Sequence, residues 1–243
     1  MKQNLSDEQR QFFEEEGYLV IENLLTAYEV VYYSDLYDSF LDNSIDASRY
    51  RSDLYGSGGS SEKITQIMVP SKVVPELLEK PIHKKSLQIA KTLMGTDIEL
   101  DFDMLINKAP LTHTITPWHQ DAAYWIDMPD KRAVSCWVAI DPAYKQNGCM
   151  WYTPKSHLSP ILHHEQTGNK GALKCEGSEE NSVFIELKPG SCVFHQGGTL
   201  HYSRGNSTTY NRRAFITNFR PKAMIALERE QGVDHTGERE LKS

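Results

Sequence analysis

Trp118-His119-Gln120-Asp121 stands near the head of the part of the chain that reads as β. On an extended segment side chains alternate, so His119 and Asp121, two apart, face one side and set an imidazole beside a carboxylate. Around this stretch the chain breaks into short apolar runs separated by turn residues, the pattern of an antiparallel sandwich or barrel. Strands are expected near 98–107, 118–121, 133–140, 149–153, 183–187, 191–195, 200–202 and 213–219. Asp141-Pro142, Asn147-Gly148, Pro189-Gly190 and Gly197-Gly198 punctuate them.

Upstream the periodicity is helical. Ser6 with Gln9 and Thr26 with Glu29 form capping-box patterns that open two helices, the first stopped by Gly17, with a short strand at Tyr18-Leu19-Val20-Ile21 between them. In the second helix Val30, Val31, Tyr33, Leu36, Tyr37 and Phe40 recur at helical spacing and read as core. Residues 44–61 are rich in Ser, Asp, Gly and Arg and end in Ser57-Gly58-Gly59-Ser60, a loop and a lid candidate. A strand is expected over 62–68, and Pro75 and Pro81 suit first turns of helices, the second ending at Gly95. Residues 155–182 form a long polar excursion holding His163-His164, and the charged segment 222–243 reads as a frayed polar tail. The expected organisation is one domain over 1–243: a helix-rich part to about 96, a β core over about 97–221, then the tail.

A net charge of −7 argues against broad capture of nucleic acid or anionic lipid, which rely on clustered Lys and Arg. No apolar run approaches the ~20 residues of a membrane helix, and Met1-Lys2-Gln3-Asn4-Leu5-Ser6 lacks the basic-then-apolar design of a signal peptide. A soluble, cytoplasmic protein acting on a small molecule is expected. Cys136, Cys149, Cys175 and Cys192 form no C-x-x-C pair and read as reduced, mostly buried residues.

Chemistry enters with a second stretch, His201-Tyr202-Ser203-Arg204-Gly205-Asn206 followed by Arg212-Arg213, about eighty residues beyond His119. A sandwich brings such distant edges together. Two His and one carboxylate on one face of a metal leave the other face open, the ligand set of non-heme Fe(II) oxygenases. A guanidinium close by can grip an anion through two parallel hydrogen bonds.

The chain resembles the phytanoyl-CoA dioxygenase family of Fe(II)- and 2-oxoglutarate-dependent oxygenases. The matching features are Met104-Leu105-Ile106-Asn107-Lys108, Trp118-His119-Gln120-Asp121, Trp137, Asn147-Gly148-Cys149, Pro154-Lys155-Ser156-His157, His201-x-Ser203-x-x-Asn206 and Arg212. The resemblance implies a double-stranded β-helix, a cupin-like jelly roll with helices packed on one sheet. It implies that His119, Asp121 and His201 hold Fe(II), with 2-oxoglutarate as cosubstrate and O2 completing the site. Arg212 and Ser203 would receive the far carboxylate, Met104 and Trp137 would line the cosubstrate pocket, and Gln66 would occupy the family's cosubstrate-contacting position, where a family member has Lys. The implied reaction hydroxylates an unactivated C–H bond of a small metabolite with release of succinate and CO2. Related halogenases lack the carboxylate, so Asp121 favours oxygenation.

Tyr124, Trp125, Arg132, Trp151, Tyr152 and the His163-His164 loop are candidate substrate walls, the first two because they follow a ligand strand and the loop because it interrupts the barrel. His195 is a rival ligand, but the Ser203 and Arg212 spacing fits the family motif only when counted from His201. Only scattered Lys155, Lys170 and Lys174 are available for the phosphates of a CoA ester, which favours a free metabolite. Two other functions keep the same residues: a non-catalytic 2-oxoglutarate and iron sensor, and a cupin-like Zn or Mn hydrolase or isomerase.

Overall fold

The computed structural model describes residues 5–54, 62–167 and 172–236. Helix α1 (Asp7–Glu16) opens with Ser6 accepting from the Gln9 amide and Gln9 answering to the Ser6 amide, and closes at Gly17 with φ 81°, a left-handed turn that a Cβ would strain. Strand β1 (Tyr18–Ile21) leads to α2 (Ala27–Leu41), capped in the same way by Thr26 and Glu29. Then follow β2 (Arg51–Asp53), β3 (Ile64–Met68), the short α3 (Pro70–Val73) and α4 (Pro81–Met94), which starts on a proline and ends at Gly95.

The β core comprises β4 (Ile98–Lys108), β5 (Thr116–His119), β6 (Val134–Ala139), β7 (Met150–Tyr152), β8 (Glu165–Gln166), β9 (Leu173–Lys174), β10 (Val183–Ile185), β11 (Cys192–Gln196), β12 (His201–Ser203) and β13 (Arg212–Pro221), followed by α5 (Lys222–Glu230). A large sheet runs β1-β11-β6-β13-β4-β3-β2 and a small one β10-β7-β12-β5, with every pairing antiparallel. Face to face they make the jelly roll.

Alternation along the large sheet divides the core. Leu19, Leu105, Cys136, Val138, Phe194 and Phe215 turn outward to pack with Tyr33, Phe40, Ile82 and Ile89 of the helices. Trp137, Ala139, Val193, Ala214 and Ile216 turn inward against Met150 and Tyr152 of the small sheet. Helices therefore seal one face and leave the space between the sheets for a site.

Two expectations need correcting. Within residues 44–61, expected as an irregular loop, β2 pairs with β3 at the sheet edge, while Ser57-Gly58-Gly59-Ser60 lies outside the described residues. The segment after Pro221 is not frayed through its described length: α5 docks on β13 and β4 through buried ion pairs. Arg220 donates to Asp101 at 2.7 Å and pairs with Glu228, Arg229 pairs with both carboxylates, and His235 meets Glu228 at 2.7 Å. These charges are polar in sequence and internal in the fold.

Candidate active site

Strand β5 ends at His119 and β12 begins at His201, and the two residues sit directly opposite in register with ring centroids 4.1 Å apart. Each ring's Nδ1–H donates to a backbone carbonyl two residues back, His119 to Pro117 and His201 to Thr199, both at 2.8 Å. Both Nε2 atoms are thereby left with their lone pairs toward the cavity, the tautomer a metal needs. Gln120 continues the extended path, then the chain enters a 3-10 turn at Asp121, so the carboxylate comes from the turn rather than from the strand expected over 118–121. Its Oδ1 lies 3.8 Å from His119 Nε2 and 3.7 Å from His201 Nε2. One donor atom from each of the three residues falls within 4.8 Å of the others.

The outer oxygen of Asp121 is committed elsewhere. His195 Nε2 lies at 3.1 Å and Ser135 Oγ at 2.7 Å from Oδ2, while Tyr152 OH lies 3.3 Å from His195 Nδ1. Oδ1 alone is left for a metal. Burial would raise the Asp121 carboxyl, but the His195 hydrogen bond and the surrounding imidazoles override it and hold the group well below the usual carboxylate range. Burial, then His119 and His195, push His201 well below its ordinary value. An ionised carboxylate and neutral imidazole are the forms that bind metal. His195 thus braces the cluster instead of replacing His201.

Arg212 projects from β13 into the same cavity and is 1% exposed. Its Nε and Nη1 have no hydrogen-bond partner among the described residues, nor does the buried Ser203 Oγ. Arg213, one position on, faces the helices and is satisfied by Asp141, Asp38 and Ser34. A buried guanidinium without acceptors is costly. A carboxylate placed there would satisfy both Arg212 and Ser203, so the donor set fits the far end of 2-oxoglutarate, and the His119, Asp121, His201 cluster fits iron. Burial pushes Arg212 down to about 10, which leaves it charged at neutral pH.

A model of the phytanoyl-CoA dioxygenase family matches residues 13–214. The chain belongs to that family. Among curated relatives, a probable phytanoyl-CoA dioxygenase of Caenorhabditis elegans is 26% identical over 88% of this chain and 75% of its own. The peroxisomal phytanoyl-CoA dioxygenase of Homo sapiens is 26% identical over 88% of this chain and 68% of its own. Among solved structures, EvdO2 from Micromonospora carbonacea var. aurantiaca complexed with 2-oxoglutarate aligns with a TM-score of 0.73 at 26% identity, covering 90% of this chain and 92% of that one. The protein is an iron- and 2-oxoglutarate-dependent oxygenase.

The cavity of about 720 Å3 between the sheets gathers most residues singled out in sequence: the three candidate ligands, Arg212, Ser203, Met104, Trp137, Gln66, Tyr124 and Trp125. The Arg212 guanidinium lies 5.1 Å from the Trp137 ring centroid. Gln66 Nε2 lies 3.3 Å from Met104 Sδ.

Trp151, Tyr152, Arg132, His163 and His164 are not among the lining residues. Trp151 alternates with the inward Met150 and Tyr152 and packs outside against Phe184, Tyr202 and Arg204. Arg132 is taken by Asp97 and Asp130. His163 and His164 also separate in role: buried His164 accepts from the Gln120 amide at 3.1 Å, and Gln120 Oε1 accepts from the Leu162 amide at 2.8 Å. Gln120 thereby ties the 160s segment to the strand that carries His119.

Lys108 had no role assigned from sequence beyond its place in a motif. Fully buried, it donates from Nζ to the carbonyls of Thr114, Ser203 and Arg204 at 3.0, 3.3 and 2.7 Å, joining the start of β5 to the end of β12. Its signal was an Asn-Lys pair closing an apolar strand, where a cation has no surface to reach. Phe102, Asn218 and residues 232–236 also line the cavity and went unnoticed in sequence.

Proposed function

We propose that the protein, acting as one oxygenase domain, hydroxylates an unactivated C–H bond of a small free metabolite, with 2-oxoglutarate converted to succinate and CO2. The observation carrying this reading is the buried Arg212 guanidinium, whose Nε and Nη1 have no hydrogen-bond partner among the described residues, in the same cavity as the His119, Asp121, His201 cluster. When bound, iron and 2-oxoglutarate supply oxidative decarboxylation and the transfer of one oxygen atom of O2 to carbon.

The chain's own residues supply placement. Arg212 and Ser203 anchor the far carboxylate of the cosubstrate, and Trp137 stacks against the guanidinium that holds it. His195 and Ser135 keep Asp121 to one inward oxygen, which leaves more of the metal face open. Lys108 locks the two ligand strands together, so the His119 and His201 rings are held before the metal arrives. Met104, Met150 and Ile216 wall the cosubstrate half with apolar surface that limits water. Tyr124 and Trp125, from the turn that carries Asp121, face the remaining half and are assigned to the primary substrate.

The test is an anaerobic titration of the metal-free protein with Fe(II) and then 2-oxoglutarate, following the visible charge-transfer band of the chelate. A band in the wild type that Asp121→Ala weakens is expected. A folded, metal-loaded protein that develops none would sink the assignment.

A further inference from the structure

Strand β13 turns Arg212, Ala214, Ile216 and Asn218 toward the cavity and Arg213, Phe215 and Thr217 toward the helices. Arg212 and Asn218 are six residues apart, about 20 Å at roughly 3.3 Å per residue. Asn218 is tied through Ser135 to Asp121, so it sits at the metal end of the cavity, opposite the end assigned to the cosubstrate carboxylate. It is 2% exposed.

Its amide orientation follows from counting protons. Ser135 Oγ lies 2.7 Å from Asp121 Oδ2 and 2.6 Å from the Asn218 amide. One hydroxyl has one hydrogen to give, and the carboxylate takes it because a charge-assisted bond is the stronger. Ser135 Oγ is then an acceptor toward Asn218, so the amide turns its Nδ2 to the serine. The structure records Oδ1 toward the serine and Nδ2 without a partner among the described residues; turning the amide over exchanges the two and makes the second atom the oxygen. Phe102, Tyr124 and Trp125 supply aromatic surface in the same cavity. A buried acceptor among aromatic walls requires a donor from whatever fills the space.

Resting on the functional reading above, we propose that Asn218 is a specificity-determining residue whose amide oxygen accepts a hydrogen bond from an O–H or N–H group of the primary substrate. The substrate class is an apolar, ring-sized body bearing a hydroxyl or amino group close to the carbon that is attacked. A substrate lacking that donor leaves Asn218 buried and unpaired, and the site discriminates against it.

The experiment uses the Fe(II)- and 2-oxoglutarate-loaded protein without oxygen and titrates it by calorimetry with matched probes: benzyl alcohol against benzyl methyl ether, and cyclohexanol against methoxycyclohexane. The alcohol of each pair is expected to bind about tenfold more tightly or better, the scale of one hydrogen bond with a buried partner. Asn218→Leu is expected to abolish that preference while 2-oxoglutarate still binds. The same cosubstrate titration identifies a variant that fails to fold, in which case Asn218→Ala carries the comparison. Equal affinities, binding of neither member by protein that holds 2-oxoglutarate normally, or a preference that survives in the variants overturns the proposal. Wild-type protein that takes no 2-oxoglutarate overturns the functional reading and the proposal with it, and is recognised by its missing band.

Discussion

Arg212 and Arg213 differ by one position and by nearly everything around them. Alternation on β13 sends the first into the cavity, where its Nε and Nη1 find no acceptor among the described residues, and the second to Asp141, Asp38 and Ser34. Arg212→Ala is expected to cut 2-oxoglutarate affinity by about 100-fold or more, since each charge-assisted bond lost is worth roughly 1.5–3 kcal/mol, while Fe(II) affinity is unchanged. Equilibrium titration of both ligands checks it, and unaltered 2-oxoglutarate binding would remove Arg212 from the site. Ser135→Ala tests the bracing of Asp121. Losing that support is expected to weaken Fe(II) about 10–100-fold, and an unchanged iron affinity would mean that the outer oxygen needs no holding. Arg212 was singled out by the family motif's spacing from His201, and alternation allowed only one of Arg212 and Arg213 to face inward; the fold places Arg212 at the cavity. Reading from sequence failed for Trp151, because Met150, Trp151 and Tyr152 are all large and apolar and give no cue to which of them faces inward. It failed for Arg132, which Asp130 holds from two residues away and Asp97 from a distant part of the chain, so that the guanidinium is turned from the cavity.

At the scale of elements, the segment after Pro221 shows how polarity misleads. Arg220, Glu228, Arg229 and His235 read as solvated, yet they neutralise one another and Asp101 inside the fold, with the His235 ring stacked on Phe102 at 4.2 Å. Burial would raise Asp101, but the His235 hydrogen bond and the charges of Arg220, His235 and Arg229 hold it at about 2. Glu228 is lowered by the same partners against its own burial, and His235 is raised by both carboxylates against its burial. The signs give a window. The two carboxylates contribute fully above their ordinary range near ~4 and lose that contribution as pH falls toward 2. His235 contributes fully below its ordinary ~6.5 and loses that contribution as pH rises through its raised value. Docking of α5 is therefore expected to be firmest between about pH 4 and 6.5 and to loosen on the alkaline side. Hydrogen exchange of the 222–236 amides, corrected for intrinsic rate, measures this. His235→Asn should flatten the alkaline change, and a variant with the wild-type pH profile would rule the imidazole out.

At the scale of the whole molecule, an antiparallel sandwich or barrel was legible because its strands are short apolar runs broken by Asp-Pro, Asn-Gly and Pro-Gly turns, and the family resemblance narrowed it to a jelly roll. The helical layer was legible in its capping boxes. What stayed hidden were contacts made between distant segments: β2 on the sheet edge, Lys108 bridging β5 and β12, and the closing of the cavity by residues 232–236. Those contacts surround a site that carries a stability cost. Without its cosubstrate the protein holds the Arg212 guanidinium at 1% exposure, offset only in part by the Trp137 ring. Replacing a buried ion pair by well-packed apolar side chains of similar volume is often neutral or stabilising, by about 1–4 kcal/mol, and a buried charge without an anionic partner has less attraction to lose. Arg212→Met is therefore expected to raise the melting temperature of the ligand-free protein by at least about 2–4 °C, the shift for each kcal/mol in a chain of this size. Saturating 2-oxoglutarate with iron should reverse the order. At a concentration 1,000 times its Kd a ligand stabilises the native state by about 4.1 kcal/mol, which exceeds the variant's gain, and the variant cannot draw on it. Thermal unfolding of both proteins, with and without cosubstrate, gives the four values needed. A variant that melts below the wild type in the absence of ligand would show the guanidinium to be a structural support, and the cavity would then owe Arg212 to folding rather than to 2-oxoglutarate.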